Sequence, residues 1–116
     1  MSKPSTYLRF IALAHAIEDG FRSQDIDLTA QRLLEVVAVA AADGQPLTVT
    51  EAMSLATVAS PATLHRKLTQ LLEAGYVEFR FEAGNRRTKY IHPTRAADKQ
   101  FDAMGQALKG ITVQAR

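Results

Sequence analysis

The chain has 116 residues, enough for one domain and too few for two ordinary ones. Hydrophobic residues make up 47% and charged residues 22%, the balance of a soluble globular protein, and no apolar run nears the ~20 residues a membrane helix needs. Cysteine is absent, which excludes disulfides and thiolate metal sites and fits a reducing cytoplasm.

Met1 to Thr6 holds one lysine and one proline, with no signal-peptide cleavage pattern after it. Pro4-Ser5 predicts the start of a first helix, running to about Asp19 and stopped by Gly20. Tyr7, Phe10, Ala14 and Ile17 follow one line while Leu8, Ile11 and Leu13 spread beyond it, so this helix has apolar surface for more than one neighbour. A second helix, capped by Asp27 or Thr29, carries Leu33, Leu34, Val37 and Ala41, and its nearly apolar run Val36 to Ala42 predicts a central buried helix. Asp43-Gly44-Gln45-Pro46 breaks it.

Thr48-Val49-Thr50-Glu51 has capping-box spacing and opens a third helix, expected to end near Ala56 or Thr57. Ser60-Pro61 places an N-cap serine before a first-turn proline, and Gly75 supplies the left-handed end of that fourth helix. Beyond Gly75 the period changes. Val77, Phe79 and Phe81 alternate with Glu78, Arg80 and Glu82, Ala83-Gly84-Asn85 reads as a turn, and Arg87 to His92 as the returning strand. Pro93 ends the hairpin, and Thr94 caps a last helix to about Lys109.

Charge is distributed unevenly along these elements. Residues 1–60 carry four Lys/Arg against seven Asp/Glu, net −3, and residues 61–116 carry ten against five, net +5. A basic half of this kind faces a polyanion. On the fourth helix Leu64, Leu68, Leu71 and Leu72 form the inward stripe, which leaves Ala62, Thr63, His65, Arg66, Thr69 and Gln70 largely outward. Small residues let a helix approach base edges, and Thr, His and Arg donate to base or phosphate acceptors. The hairpin adds Arg86, Arg87 and Lys89 beside its turn, placed to straddle a phosphate backbone and reach a minor groove.

From Leu47 to about Met104 the sequence resembles the MarR-type winged helix-turn-helix regulators. Ser60-Pro61-Ala62-Thr63-Leu64-His65-Arg66 is similar to that family's recognition-helix start, Leu71 to Glu78 to its helix-to-wing junction, and Asn85 to Thr94 to its wing and exit. The resemblance implies a mainly α fold in the order α-α-α-α-β-β-α with a two-stranded wing. One domain over 1–116 is expected from the chain's length, with about 47–93 as helix-turn-helix and wing. The resemblance implies that Ser60, Ala62, Thr63, His65 and Arg66 meet the major groove of double-stranded DNA; Lys67, next in sequence, is read as a further DNA-binding residue that bears mainly on overall affinity. Arg87 would be the wing-tip arginine in the minor groove, flanked by Arg86 and Lys89. Two positions depart from the family: Asn85 stands where an aspartate is usual, removing a salt bridge that braces the wing, and Phe79, with Arg80 beside it, replaces a common wing-base arginine. The family's C-terminal helical region is also usually longer than the stretch after Thr94 in this chain.

The last helix spaces Ala97, Phe101, Met104, Leu108 and Ile111 by 4, 3, 4, 3, a heptad-like seam. Together with Tyr7, Phe10 and Ile11 of the first helix, Phe101, Met104 and Leu108 form a predicted homodimer layer from the terminal helices, about 5–20 and 94–111. His15, His65 and His92 stand on three different elements without ligand spacing, and no phosphate loop or nucleophile elbow is present, so no metal, cofactor or enzyme activity is expected. A small-molecule effector is common in the resembled family, and nothing in the sequence identifies one. Two rival readings remain: a winged-helix protein-interaction module, and a non-specific architectural DNA binder.

Overall fold

Each of the five helices begins where a side-chain oxygen meets otherwise unpaired first-turn amides. In the computed structural model, which describes residues 5–114, Ser5 caps α1 (Thr6–Arg22), Asp27 caps α2 (Leu28–Ala42), Thr48 caps α3 (Val49–Met53) and Ser60 caps α4 (Pro61–Glu73). Thr94 Oγ1 accepts from Ala97 N–H at 3.4 Å at the start of α5 (Arg95–Gln114). A cap of this kind stabilises its helix by about 1 kcal/mol. At Thr48 the box is complete. Its hydroxyl accepts from Glu51 N–H at 3.1 Å, and the Glu51 carboxylate accepts from Thr48 N–H at 2.9 Å.

α1 does not stop at Gly20. It runs to Arg22 because Phe21, one residue further, is fully buried with its ring edge-on to Tyr76 at 5.9 Å. Burying a phenylalanine is worth about 1.5–3 kcal/mol, more than the ~1 kcal/mol a helical glycine costs. The chain turns instead at Asp25, at φ 61. α2 buries Ala30, Gln31, Leu33, Leu34 and Val37 in its first ten residues, but Val39 is 62% exposed. The expected central buried helix is therefore buried in its N-terminal two-thirds and open beyond.

α3 ends at Met53, earlier than the expected Ala56 or Thr57. Leu55 and Val58 pack on the core from a tight turn closed by Val58 N–H to Leu55 C=O at 2.9 Å, and this turn delivers Ser60 to cap α4. Gly75 at φ 78 ends α4, with its N–H on Leu72 C=O and Tyr76 N–H on Leu71 C=O.

The wing pairs β1 (Val77–Glu82) with β2 (Asn85–Pro93), antiparallel, from Val77 opposite Pro93 to Glu82 opposite Asn85. The register shifts between Phe81 and Glu82, so the return strand starts at Asn85 rather than Arg87, with Gly84 at φ 81 in the turn. Ile91 N–H donates to Leu47 C=O at 2.8 Å and Thr48 bridges to Tyr90, which ties the wing's root to the start of α3. The core joins Phe21, Leu33, Leu34 and Val37 to Leu64, Leu68 and Leu71 of α4, with Ile91 and Ala97 closing it. α5 continues to Gln114, past the expected Lys109. The radius of gyration is 16.2 Å, against about 13 Å for a compact chain of this length. Among the described residues no helix is long and apolar enough to cross a membrane.

Candidate nucleic-acid interface

The three buried leucines of α4, Leu64, Leu68 and Leu71, fix which side of the helix faces the core. Ala62, His65, Arg66, Thr69 and Gln70 are exposed as a result, and Ser60 stands exposed at the helix start. A short polar chain orders this end. Ser60 Oγ donates to Thr63 Oγ1 at 3.0 Å, and Arg66 Nη2 donates to the same oxygen at 3.2 Å. The guanidinium is thereby drawn back toward the helix N-terminus, whose partial positive charge also favours an anion.

The wing stands beside this helix. His65, Thr69 and Leu72 of α4, Thr48 and Thr50 at α3, and Arg87, Thr88 and Lys89 of β2 border one groove of about 530 Å³. Lys89 also sits over the Phe79 ring, 5.2 Å from its centre. Phe79, half-buried at the wing base, thus supports a cation from β2 in place of carrying one itself. Arg86 and Arg87 are exposed at the tip around Gly84 and Asn85. Among the described residues no ion pair engages Arg66, Arg86, Arg87 or Lys89.

Lys67 lies elsewhere. Its ammonium is 2.6 Å from Oδ2 of Asp27, the cap of α2, and its side chain is 16% exposed. The signal for this placement is in the helical period, since position 67 falls on the same line as Leu64 and Leu71. Asp27, the partner, is not apparent from the local sequence.

The opposite face of the wing carries Glu78, Arg80 and Glu82 against His92 and Tyr90. Arg80 binds Glu78 at 3.2 Å. Partial burial, then the nearby Arg80 charge, lowers the His92 imidazole from its ordinary value. Among the described residues no group of three or more His, Asp or Glu is placed to hold a metal ion.

The terminal helices pack together, and Tyr7 remains 67% exposed, Phe10 44% and Leu108 40%. Ile11 is half-buried, and Phe101 and Met104 are half-buried against the chain's own core. Between α1, α2 and α5 lies a cleft of about 400 Å³ bordered by Phe10, Ile17, Leu28, Gln31, Met104 and Leu108. Gln31 donates to Glu35 at 3.1 Å, but its buried Oε1 has no partner among the described residues.

No protein-family model and no curated protein matches the chain by sequence. Solved structures do match in shape. RV1404 from Mycobacterium tuberculosis is similar with a TM-score of 0.67 at 15% identity, over 94% of this chain and 69% of that one. MepR of Staphylococcus aureus, solved in complex with DNA, is similar at 0.61 and 17% identity, over 93% and 86%. A variant of MarR from E. coli is similar at 0.57 and 14%, over 94% and 77%. The chain has the winged helix-turn-helix fold of the MarR-type structures.

Proposed function

We propose that the chain is a transcriptional regulator that binds specific double-stranded DNA sequences as a homodimer. The observation that carries this reading is the shared groove, where the outward side of α4 (His65, Thr69) meets the wing cations Arg87 and Lys89. In this reading α4 enters the major groove through Ser60, Ala62, Thr63, His65 and Arg66. The wing lies along the flanking minor groove with Arg87 inserted and Arg86 and Lys89 on phosphates. MepR, which has this fold, is a transcription regulator and has been solved bound to DNA, which supports the reading.

Pairing of α1 and α5 with a second copy presents two such helices to a pseudo-palindromic site, about 34–36 Å apart. The exposed Tyr7, Phe10 and Leu108 beside half-buried Ile11, Phe101 and Met104 are the surface for it. The cleft bordered by Phe10, Leu28, Met104 and Leu108 suits a small effector that is mainly apolar. Since Phe10, Met104 and Leu108 belong both to this cleft and to the dimer surface, such a ligand would bear on the spacing of the two recognition helices.

Selection from a random duplex pool tests the main reading. A recovered two-fold motif is expected. Equal affinity for every duplex at matched salt would make the protein an architectural binder. Absence of duplex binding would favour a protein-interaction module.

A further inference from the structure

Asp27 does two jobs with its two oxygens. Oδ1 caps α2 by accepting from Ala30 N–H at 2.9 Å, and Oδ2 holds Lys67 Nζ at 2.6 Å. The pair joins the first turn of α2 to the second turn of α4 across forty positions of sequence. It is the lysine that is sheltered, at 16% side-chain exposure against 53% for the aspartate. The first-turn amides of α2 carry partial positive charge, so an ammonium placed there is repelled unless a carboxylate stands between. Partial burial pushes the Asp27 carboxyl upward, but the hydrogen bonds from Lys67 and Ala30 and the lysine's charge outweigh it and hold the group below its ordinary value. The Asp27 carboxylate is therefore ionised at neutral pH.

We infer that Asp27 is a positioning residue that withholds Lys67 from DNA, fixing the rotation of α4 about its axis and keeping one sequence-independent cation off the phosphates. The inference rests on the DNA-binding reading and changes one part of it. Lys67, adjacent to Arg66 in sequence, is a strut rather than a contact. Phosphate contacts raise affinity for any duplex alike, so keeping Lys67 off the phosphates lowers bulk affinity, while the fixed rotation of α4 is what serves base reading.

The test uses the full chain with Asp27→Asn, Lys67→Met and the double variant. Asparagine caps a helix as well as aspartate, so α2 keeps its cap and loses only the charge. Binding is measured against salt on a selected duplex and on a mixed-sequence duplex. Asp27→Asn is expected to steepen the salt dependence by about 0.9 per protomer, the signature of one added phosphate contact. The preference for the selected duplex should fall because α4 loses its fixed rotation, the added contact itself strengthening both duplexes alike. Lys67→Met should leave the slope at the wild-type value although it lowers the net charge by one, which separates a released lysine from a mere change in net charge, and the double variant should match wild type. Independently of DNA, Lys67→Met should move the Asp27 carboxyl titration, followed by NMR, upward toward the ordinary range. A flatter slope in Lys67→Met, by one contact per protomer, would show that the lysine leaves Asp27 for DNA and overturns the inference. So would an unchanged slope in Asp27→Asn. Wild-type protein that binds neither duplex overturns the DNA-binding reading first and this inference with it.

Discussion

The side-chain oxygen of Asn85 accepts a hydrogen bond from the backbone N–H of Arg87 at 2.9 Å, closing the wing tip over Gly84. An uncharged amide thus braces the turn where the resembled family usually has an aspartate. The neutral brace leaves the tip's positive charge undiminished, because Arg86 and Arg87 face no carboxylate from position 85.

Asn85→Ala should loosen the tip and weaken DNA binding roughly threefold, the scale of one net hydrogen bond. Amide exchange at Arg87 should quicken in the free protein. Asn85→Asp should restore exchange protection while lowering affinity through its added negative charge. Equal affinity of all three proteins would show that the tip does not touch DNA.

Arg87 and its neighbours should separate by the kind of loss. Arg86→Ala and Lys89→Ala are expected to weaken binding to all duplexes and to flatten the salt dependence by about 0.9 per lost contact. Arg87→Ala should instead penalise sites flanked by A·T-rich sequence most, since a narrow minor groove is what attracts an inserted arginine. Titrations on duplexes differing only in their flanks distinguish the two patterns.

The dimer surface is best probed at its exposed members. Met104 and Phe101 also pack on the monomer's core, so a charge there would damage the fold as well as the seam. Tyr7→Glu with Leu108→Glu places two carboxylates on surface that is open in the single chain. Sedimentation should then report a monomer with unchanged helical circular dichroism, whereas the wild type should sediment as a dimer at micromolar concentration. A wild-type monomer refutes the dimer reading.

Local chemistry is readable directly from the sequence and long-range chemistry is not. The Thr48–Glu51 box, the Ser60-Pro61 start and the Gly75 stop are specified within a few residues, and each is found where its residues predict. Gly20 is a false stop because the reason to continue α1 is the ring of Tyr76, fifty-five positions away from Phe21. Lys67 groups with Arg66 in the sequence for the same reason, since its partner is the cap of α2. The apolar run of α2 does not by itself show that Val39 is left uncovered.

The capping box also predicts an acid dependence. The Glu51 carboxyl is held below its ordinary value, first by the Thr48 backbone N–H and then by the Thr48 hydroxyl. A lowered folded-state value means the carboxylate contributes stability above the ordinary glutamate range, and that the contribution fades as pH falls through the lowered value. Glu51→Gln should remove this part of the acid dependence while changing stability little near the acid end. Thr48→Ala should cost about 1 kcal/mol at neutral pH. Urea melts across the acid range check both.

Sequence preference should reside in the first two turns of α4, with Arg66 reading the base and Thr63 aiming it. Leu64, Leu68 and Leu71 fix the helix face, so Arg66 is carried on the exposed side, and the Thr63 hydroxyl holds its guanidinium at 3.2 Å. A bidentate arginine–guanine contact discriminates by about 1–3 kcal/mol per base pair. Arg66→Ala is therefore expected to relax preference at one position in each half-site of the selected motif. Thr63→Val removes the hydroxyl while nearly keeping the shape. It should leave the preferred base unchanged but reduce discrimination at that same position, because the guanidinium must then be ordered during binding. Arg66→Lys should behave like the alanine variant in specificity and like wild type in salt slope, since an ammonium keeps the charge but not the fork. Selections from random duplex pools with the three variants decide the matter. If Arg66→Ala recovers the wild-type motif with equal discrimination everywhere, α4 serves as a scaffold and base reading lies on another surface.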